Sequence, residues 1–224
     1  MTHWVTYGLQ TLRSKALCAF LLLAAGAASA EKVHILALGD SLTQGYGLLE
    51  QEGFVPQLRA WLDERGHDVR IVNAGVSGDT TAGGLARVDW SLTSEIQAMI
   101  VALGGNDLLR GIDPEVSRAN LEGILKIAEA RDLEVLLIGM TAPGNYGPDF
   151  KREFDQLFPS LAESYDTLYL ESFFAGMMTD GEMPSDIGDV MQADGIHPNA
   201  KGVQRIVNVV GPKVVSLIER VRGD

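Results

Sequence analysis

From residue 31 onward, short apolar runs alternate with segments whose apolar residues recur at helical spacing. The runs predict five strands, and these are Val33–Leu38, Val69–Val72, Met99–Leu103, Leu133–Ile138 and one near Thr167–Leu170. Near-continuous apolar strands separated by helices are typical of a parallel sheet that is covered on both faces. Because no linker, repeat or low-complexity segment interrupts the pattern, it predicts one α/β domain over residues 31–224.

Four segments have the periodicity of amphipathic helices. The first begins at Phe54 and is stopped by Gly66, and Pro114 opens the second. The third covers Phe150–Ala162, and the last begins at Pro198, with a kink expected further along at Gly211-Pro212.

The first thirty residues have a different pattern. Arg13 and Lys15 precede an apolar run, Ala16–Ala25, which is followed by an A-x-A site at residues 28–30. A basic segment, a short apolar core and such a site are typical of a secretory signal peptide, here cut after Ala30. The run is short for a membrane span, although an uncleaved anchor is the alternative. We therefore expect a periplasmic or secreted protein with no stable membrane insertion after cleavage.

Cleavage would change both the charge and the cysteine count. The formal net charge of −12 would become −14, because two basic residues and no acidic ones are lost. So acidic a chain is a poor partner for nucleic acid phosphates or an anionic membrane surface. The single cysteine, Cys18, lies in the apolar run. The mature chain would have no thiol, which excludes a disulfide, a cysteine nucleophile and a cysteine-ligated metal.

Polar loops follow the predicted strands, at the edge where parallel sheets bind their ligands. Gly39-Asp40-Ser41-Leu42 comes directly after the first strand. A serine at such a turn exposes its hydroxyl, and with a neighbouring base it becomes a nucleophile. The alternative is a serine that only forms a turn or caps a helix.

A candidate base lies in Asp194-Gly195-Ile196-His197-Pro198. The carboxylate of Asp194 can accept from one ring nitrogen of His197 and leave the other free to take a proton. The alternative is a loop histidine beside a helix N-terminus. His34 and His67 have no carboxylate at this spacing beside a strand-end loop, and we interpret both as structural.

Two further residues are candidate donors to an oxyanion, the negatively charged oxygen that forms during acyl transfer. Gly78 can offer a backbone amide with no side chain in the way, and Asn106 can offer a side-chain amide from the loop after strand three. The alternatives are a turn glycine and a capping asparagine.

Taken together, these segments resemble the SGNH (GDSL) hydrolase superfamily, and most closely its bacterial thioesterase I / lysophospholipase / arylesterase branch. The four matching segments are Leu38–Thr43, Asn73–Thr80, Leu103–Asp107 and Asp194–Asn199. The Ser, Gly, Asn and His of the family name fall on Ser41, Gly78, Asn106 and His197. The resemblance implies a three-layer, flavodoxin-like fold with a central five-stranded parallel sheet.

The resemblance also implies a serine esterase or thioesterase that acts on aryl esters, acyl-CoA or lysophospholipids through an acyl-enzyme. Ser41 would be the nucleophile, His197 the base and Asp194 the residue that orients it. The backbone amides of Ser41 and Gly78 and the side chain of Asn106 would form the oxyanion hole. Neither a cofactor nor a metal is expected, and the partner is a small acyl ester or thioester.

The substrate is less well defined by the sequence. An apolar acyl groove could be lined by Leu108, Leu109, Ile112, Pro143 and Tyr146, which could equally serve only to pack the loops. A carbohydrate O-deacetylase of the same superfamily is the alternative activity.

Two other classes of protein remain as rivals. Gly39-Asp40 and Gly105-Asn106-Asp107 echo the metal-binding loops of metallophosphoesterases, but three scattered mature histidines are few for a two-metal site. The second rival is a flavodoxin-like binding protein without activity. The enzyme hypothesis makes a geometric prediction that separates them: the Ser41 hydroxyl within about 3.5 Å of a His197 ring nitrogen, with the other nitrogen facing Asp194.

Overall fold

The computed structural model describes residues 32–179, 183–184 and 186–223. The predicted signal peptide at residues 1–30 lies outside this range. Five strands form one sheet, and all neighbours in it are parallel. The strands are β1 (Val33–Gly39), β2 (Val69–Gly75), β3 (Ala98–Ala102), β4 (Glu134–Ile138) and β5 (Leu168–Leu170). Their order is β2-β1-β3-β4-β5, which is the flavodoxin-like order, so the expected fold class is confirmed.

Five long helices cover the two faces of the sheet. In chain order, counting two short helices at the strand ends, the helices are α1 (Ser41–Gln44), α2 (Phe54–Asp63), α3 (Thr81–Ser91), α4 (Gly105–Leu109), α5 (Pro114–Glu129), α6 (Pro148–Ser164) and α7 (Ala200–Arg222). Helices α2 and α7 pack together on one face, and α3, α5 and α6 pack side by side on the other. The result is three layers with the sheet in the middle.

Strand β1 shows how the two faces are built. Ile35 and Ala37 belong to the apolar cluster that includes residues of α2 and α7, whereas Leu36 and Leu38 belong to the cluster on the other face. Successive side chains of a strand point to opposite faces, so a strand buried on both sides must be apolar throughout. The continuous apolar run Ile35–Leu38 is therefore a direct result of the central position of β1.

Two features differ from the sequence-based expectation. Helix α3 was not expected, because Gly83 and Gly84 weaken the helical pattern near its start; Thr80 caps it by accepting from the Gly83 amide. Helix α7 begins at Ala200 rather than at Pro198 and continues through Pro212 to Arg222; the kink expected at Gly211-Pro212 stays a prediction. Among the described residues, no helix is long and apolar enough to cross a membrane.

Candidate active site

Ser41 is the first residue of α1, immediately beyond the carboxyl end of β1. The preceding residue, Asp40, caps this one-turn helix by accepting from the Leu42 amide at 3.0 Å. Gly39 ends the strand, and a Cβ there would collide with the side chain of Thr43 and lie 2.9 Å from the carbonyl of Ala102. The chain can therefore turn sharply at this point and present Ser41 at the strand end.

His197 lies beside Ser41 although the two are 156 residues apart in the chain, and Asp194 lies beside His197. The Ser41 Oγ is 2.9 Å from His197 Nε2, and His197 Nδ1 is 2.6 Å from Asp194 Oδ2. These distances fall within the range expected from the sequence. A hydroxyl, an imidazole and a carboxylate in this series form the arrangement that activates a serine nucleophile.

The Asp194 carboxylate is strongly favoured in its ionised form. Its Oδ1 accepts from the backbone amides of Ile196 and His197, each at 3.0 Å. Together with the side chain of His197, these donors lower the pKa of Asp194 to about 2, and the His197 amide is the largest cause. The carboxylate therefore keeps its charge at any pH at which the protein would normally act.

The turn that carries these two residues is closed by backbone contacts. Met191 and Pro198 form an antiparallel bridge, and the Gln192 amide donates to the His197 carbonyl at 2.8 Å. Asn199 then caps α7, because its side chain accepts from two amides in the first turn. The longest helix of the described chain thus anchors the turn that presents His197.

Gly78 and Asn106 lie on two further loops that reach the same cavity. Gly78 has φ +83°, which favours glycine, and its carbonyl accepts from Arg110 Nη2 at 2.9 Å. Asn106 is near the start of α4, and its Nδ2 lies 2.9 Å from the carbonyl of Asp79 and 3.3 Å from Asp40 Oδ2. The loops that carry Ser41, Gly78, Asn106 and His197 therefore line one cavity.

Asp40 is an element of the site that the sequence analysis did not single out. Its side chain is buried, and the residue is 2% exposed. Burial raises the pKa of Asp40 to about 6, against the opposing effects of the Leu42 amide, the His197 ring and the Asn106 amide. In the sequence, its only signals were its position next to the candidate serine and the likeness of Gly39-Asp40 to a metal-binding loop.

A cavity of about 600 Å³ opens beside Ser41. Its apolar wall consists mainly of flexible and aromatic side chains, namely Met140, Phe174, Met178, Met183, Ile187 and Met191. This wall was not predicted, because most of it comes from the segment between β5 and α7, whose sequence has no periodicity.

Only some of the residues predicted to line an acyl groove line this cavity. Leu108 and Leu109 line the cavity, whereas Ile112, Pro143 and Tyr146 are not among its lining residues. Tyr146 is held elsewhere: its hydroxyl donates to the Leu109 carbonyl at 3.2 Å, and its ring lies 4.9 Å from that of Phe150. Its ring is thus engaged in packing on the start of α6.

The carboxylates near the site do not form a metal-binding set. Asp107, the acidic residue next to Asn106, is fully buried and accepts from the Thr81 amide, the Thr81 hydroxyl and the Ser117 hydroxyl. Within the described part of the chain, no group of three or more His, Cys, Asp or Glu side chains is arranged to hold a metal ion. The ligand set that a metallophosphoesterase needs is therefore not assembled by these residues.

Comparison with known proteins gives consistent matches. Residues 37–205 match the GDSL-like lipase/acylhydrolase family. The chain is 37% identical over 185 residues to the esterase TesA of Pseudomonas aeruginosa, covering 82% of this chain and 89% of that protein. It is 34% identical over 186 residues to thioesterase 1/protease 1/lysophospholipase L1 of Escherichia coli, covering 78% and 85%. The crystal structure of AlinE4, an SGNH-hydrolase family esterase, superposes with a TM-score of 0.68 at 42% identity, covering 84% of this chain and 98% of that one.

Proposed function

This chain belongs to the GDSL-like lipase/acylhydrolase family and is an esterase/thioesterase, and from that premise we propose that its reaction proceeds through an acyl-enzyme on Ser41. The observation that carries this proposal is the contact series at the strand ends. Ser41 Oγ lies 2.9 Å from His197 Nε2, whose ring is held from its other nitrogen by Asp194 at 2.6 Å. This arrangement fixes the tautomer in which Nε2 can take a proton.

In the first half of the reaction, His197 Nε2 accepts the Ser41 proton while Oγ bonds to the carbonyl carbon of the substrate. The bond from that carbon to the leaving oxygen or sulfur then breaks, and the leaving group takes the proton from His197. In the second half, His197 takes a proton from water, which attacks the acyl-enzyme. The acid is released and Ser41 regains its proton.

The oxyanion is proposed to rest among the backbone amides of Ser41 and Gly78 and the side chain of Asn106. An asparagine amide has two protons to donate. In Asn106, the shorter contact goes to the Asp79 carbonyl at 2.9 Å and the longer one to the Asp40 carboxylate at 3.3 Å. The longer contact is the one that the oxyanion replaces, so the Asp79 contact keeps the amide oriented throughout the reaction.

The acyl chain of the substrate is proposed to occupy the cavity beside Ser41. Its volume, about 600 Å³, is typical of small-molecule sites, and unbranched methionine side chains adapt to flexible apolar ligands. Each methylene that is buried contributes about 0.8 kcal/mol, so longer acyl chains bind more tightly until the cavity is filled. Aryl esters, acyl-CoA and lysophospholipids are the proposed substrates, whereas an O-acetylated sugar would leave the apolar wall uncovered.

We further propose that residues 1–30 are a signal peptide and that the mature enzyme begins at Glu31 outside the cytoplasm. The supporting observation is the sequence pattern alone, with Arg13 and Lys15 before an apolar run and an A-x-A site. Sequencing the N-terminus of the exported protein tests this. A first residue of Met1 would contradict it.

The function is tested with a panel of aryl esters and acyl thioesters of graded chain length, together with an O-acetylated sugar and a fluorophosphonate label. We expect hydrolysis of the esters and thioesters, labelling of wild type, and loss of both in Ser41→Ala with an unchanged circular dichroism spectrum. Ser77→Ala is the matched control, because Ser77 also lines the cavity and should leave labelling intact. Labelling of Ser41→Ala as strong as that of wild type would exclude Ser41 as the nucleophile.

A further inference from the structure

Arg87 lies in α3 and holds three acceptors on two segments of the site without lining the cavity. Its Nε donates to Asp79 Oδ2 at 2.6 Å, its Nη1 to the Ala74 carbonyl at 2.8 Å and its Nη2 to the Gly39 carbonyl at 2.9 Å. All three nitrogens of the guanidinium are therefore engaged. A planar guanidinium is suited to this, because its donors are fixed in a rigid fork.

Each of the three acceptors is directly connected to a functional loop. Gly39 ends β1 and is separated from Ser41 by a single residue. Ala74 is the last residue but one of β2. The strand ends at Gly75 and leads into the loop that contains Gly78. Asp79 follows Gly78 directly. The loops that carry Ser41 and Gly78 are thus held by one side chain.

The third loop is linked through the backbone of Asp79. The Asp79 carbonyl accepts from Asn106 Nδ2 at 2.9 Å, and the Asp79 carboxylate is paired with Arg87. The ion pair is largely shielded from water, because the side chains of Arg87 and Asp79 are 19% and 17% exposed. A shielded pair holds its geometry better than an exposed pair. The position of the Asn106 amide therefore depends on the pair.

We propose that Arg87 is a positioning residue that keeps the three oxyanion donors, on Ser41, Gly78 and Asn106, in a common register. This inference rests on the proposed function, because it acts through the oxyanion hole assigned there. Donors that must meet a developing charge are effective only if they are already oriented. A displacement of about 1 Å at a reacting centre can cost about 100-fold in rate, so a residue outside the cavity can control the rate.

The test compares Arg87→Met and Arg87→Lys with wild type by steady-state kinetics on one aryl ester. We expect Arg87→Met to lower kcat about 10- to 100-fold with KM within about 3-fold, because the donors act on the transition state. Arg87→Lys should lose less, since an ammonium can keep the Asp79 contact but cannot reach all three acceptors as the planar fork does. A role in stability alone would leave kcat of the folded enzyme unchanged.

The mechanism is isolated by combining each Arg87 variant with Asn106→Ala. If Arg87 acts through the oxyanion donors, its substitution should change kcat less in the Asn106→Ala background than in wild type, because one of the three donors that it aligns is then absent. Arg59→Met is the matched control, because Arg59 donates in the same manner to the Ile71 carbonyl in β2, away from the site. We expect it to lower the melting temperature while kcat stays within about 2-fold.

Two results would overturn the proposal. One is a folded Arg87→Met enzyme with kcat close to wild type, and the other is an equal loss of kcat in both backgrounds. If Arg87→Met does not fold, Arg87→Lys is judged by the same two criteria. Failure of the proposed function has a different signature, because Ser41→Ala and Asn106→Ala would then retain hydrolysis.

Discussion

The ring of Tyr46 lies against the imidazole of His197, with the ring centroids 4.7 Å apart and the planes inclined by 38°. The Tyr46 carbonyl also accepts from Gln192 Nε2 at 2.8 Å. The chain that follows Ser41 is therefore joined twice to the loop that presents His197. The segment that carries the proposed nucleophile also helps to orient its base.

This contact leads to a prediction for Tyr46→Ala. Contacts between aromatic rings contribute about 0.5–1.5 kcal/mol, so we expect kcat to fall about 2- to 10-fold as the imidazole loses part of its support. Tyr46→Phe keeps the ring and serves as the control, with kcat near that of wild type. Kinetics on a short aryl ester measure this, and an unchanged kcat in Tyr46→Ala would show that the contact has no effect on the base.

The ionisation of Asp194 predicts how activity depends on pH. Because the pKa of Asp194 is lowered to about 2, Asp194 stays charged at every pH well above 2, including any acidic pH at which activity would be assayed. The decline toward low pH should instead follow protonation of His197, since only the neutral ring can take the Ser41 proton. We expect Asp194→Asn to lower kcat about 1,000- to 10,000-fold while the protein remains folded. A pH–rate profile that shows no decline toward low pH would contradict the assignment of the base.

The buried carboxyl of Asp40 predicts that its contribution to stability is lost as the pH rises. Its pKa is about 6 in the folded protein and near the ordinary aspartate value of 3.8 when unfolded. The stability that the protonated form contributes is complete below pH 3.8 and is lost as the pH rises to about 6. In Asp40→Asn, the side chain at this position does not titrate, so it contributes no such change of stability with pH. The free energy of unfolding of Asp40→Asn should therefore rise relative to wild type between these pH values and then level off.

Urea denaturation at a series of pH values measures this difference. Asp68, an exposed partner of Lys32, offers a control as Asp68→Asn, for which no comparable change with pH is expected. A difference between Asp40→Asn and wild type that stays constant over the whole series would show that Asp40 is not held in its protonated form by burial.

The methionine wall predicts which acyl chains are accepted. Met178 lines the cavity, and a tryptophan there would occupy space that a long acyl chain needs. We expect Met178→Trp to lower kcat/KM about 10-fold or more for long-chain esters, because several methylenes worth about 0.8 kcal/mol each lose their site. Acetate and butyrate esters should react as in wild type. Met178→Leu, which keeps the volume, is the control, and an equal effect on all chain lengths would place the acyl chain elsewhere.

Much of the architecture could be predicted from the sequence because the strands of a covered parallel sheet are continuous apolar runs. The predicted run Leu133–Ile138 differs from β4 by one residue. Strand β2 extends to Gly75 rather than Val72, because Asn73 and Ala74 pair with β1 although Asn73 interrupts the apolar run. At the edge of the sheet, a polar side chain can face water.

The candidate site was only partly accessible to such reasoning. Ser41, Gly78 and Asn106 stand in short motifs after strands, and His197 stands three residues after Asp194 in a turn before the last helix, which made them detectable. Arg87 carries no motif and acts through backbone carbonyls, which are the same in every sequence. Its role depends on distances between segments that only the folded chain defines.

The closed turn before α7 makes the site dependent on docking of the C-terminal helix. The proposed base lies on the turn that this helix anchors, and the proposed nucleophile follows the first strand. A chain in which α7 has not yet docked on α2 holds its serine without a proton acceptor, however complete the rest of the sheet. During refolding, hydrolysis should therefore return only in step with burial of the C-terminal helix. A nascent or partly unfolded chain in which this helix has not docked should not hydrolyse esters.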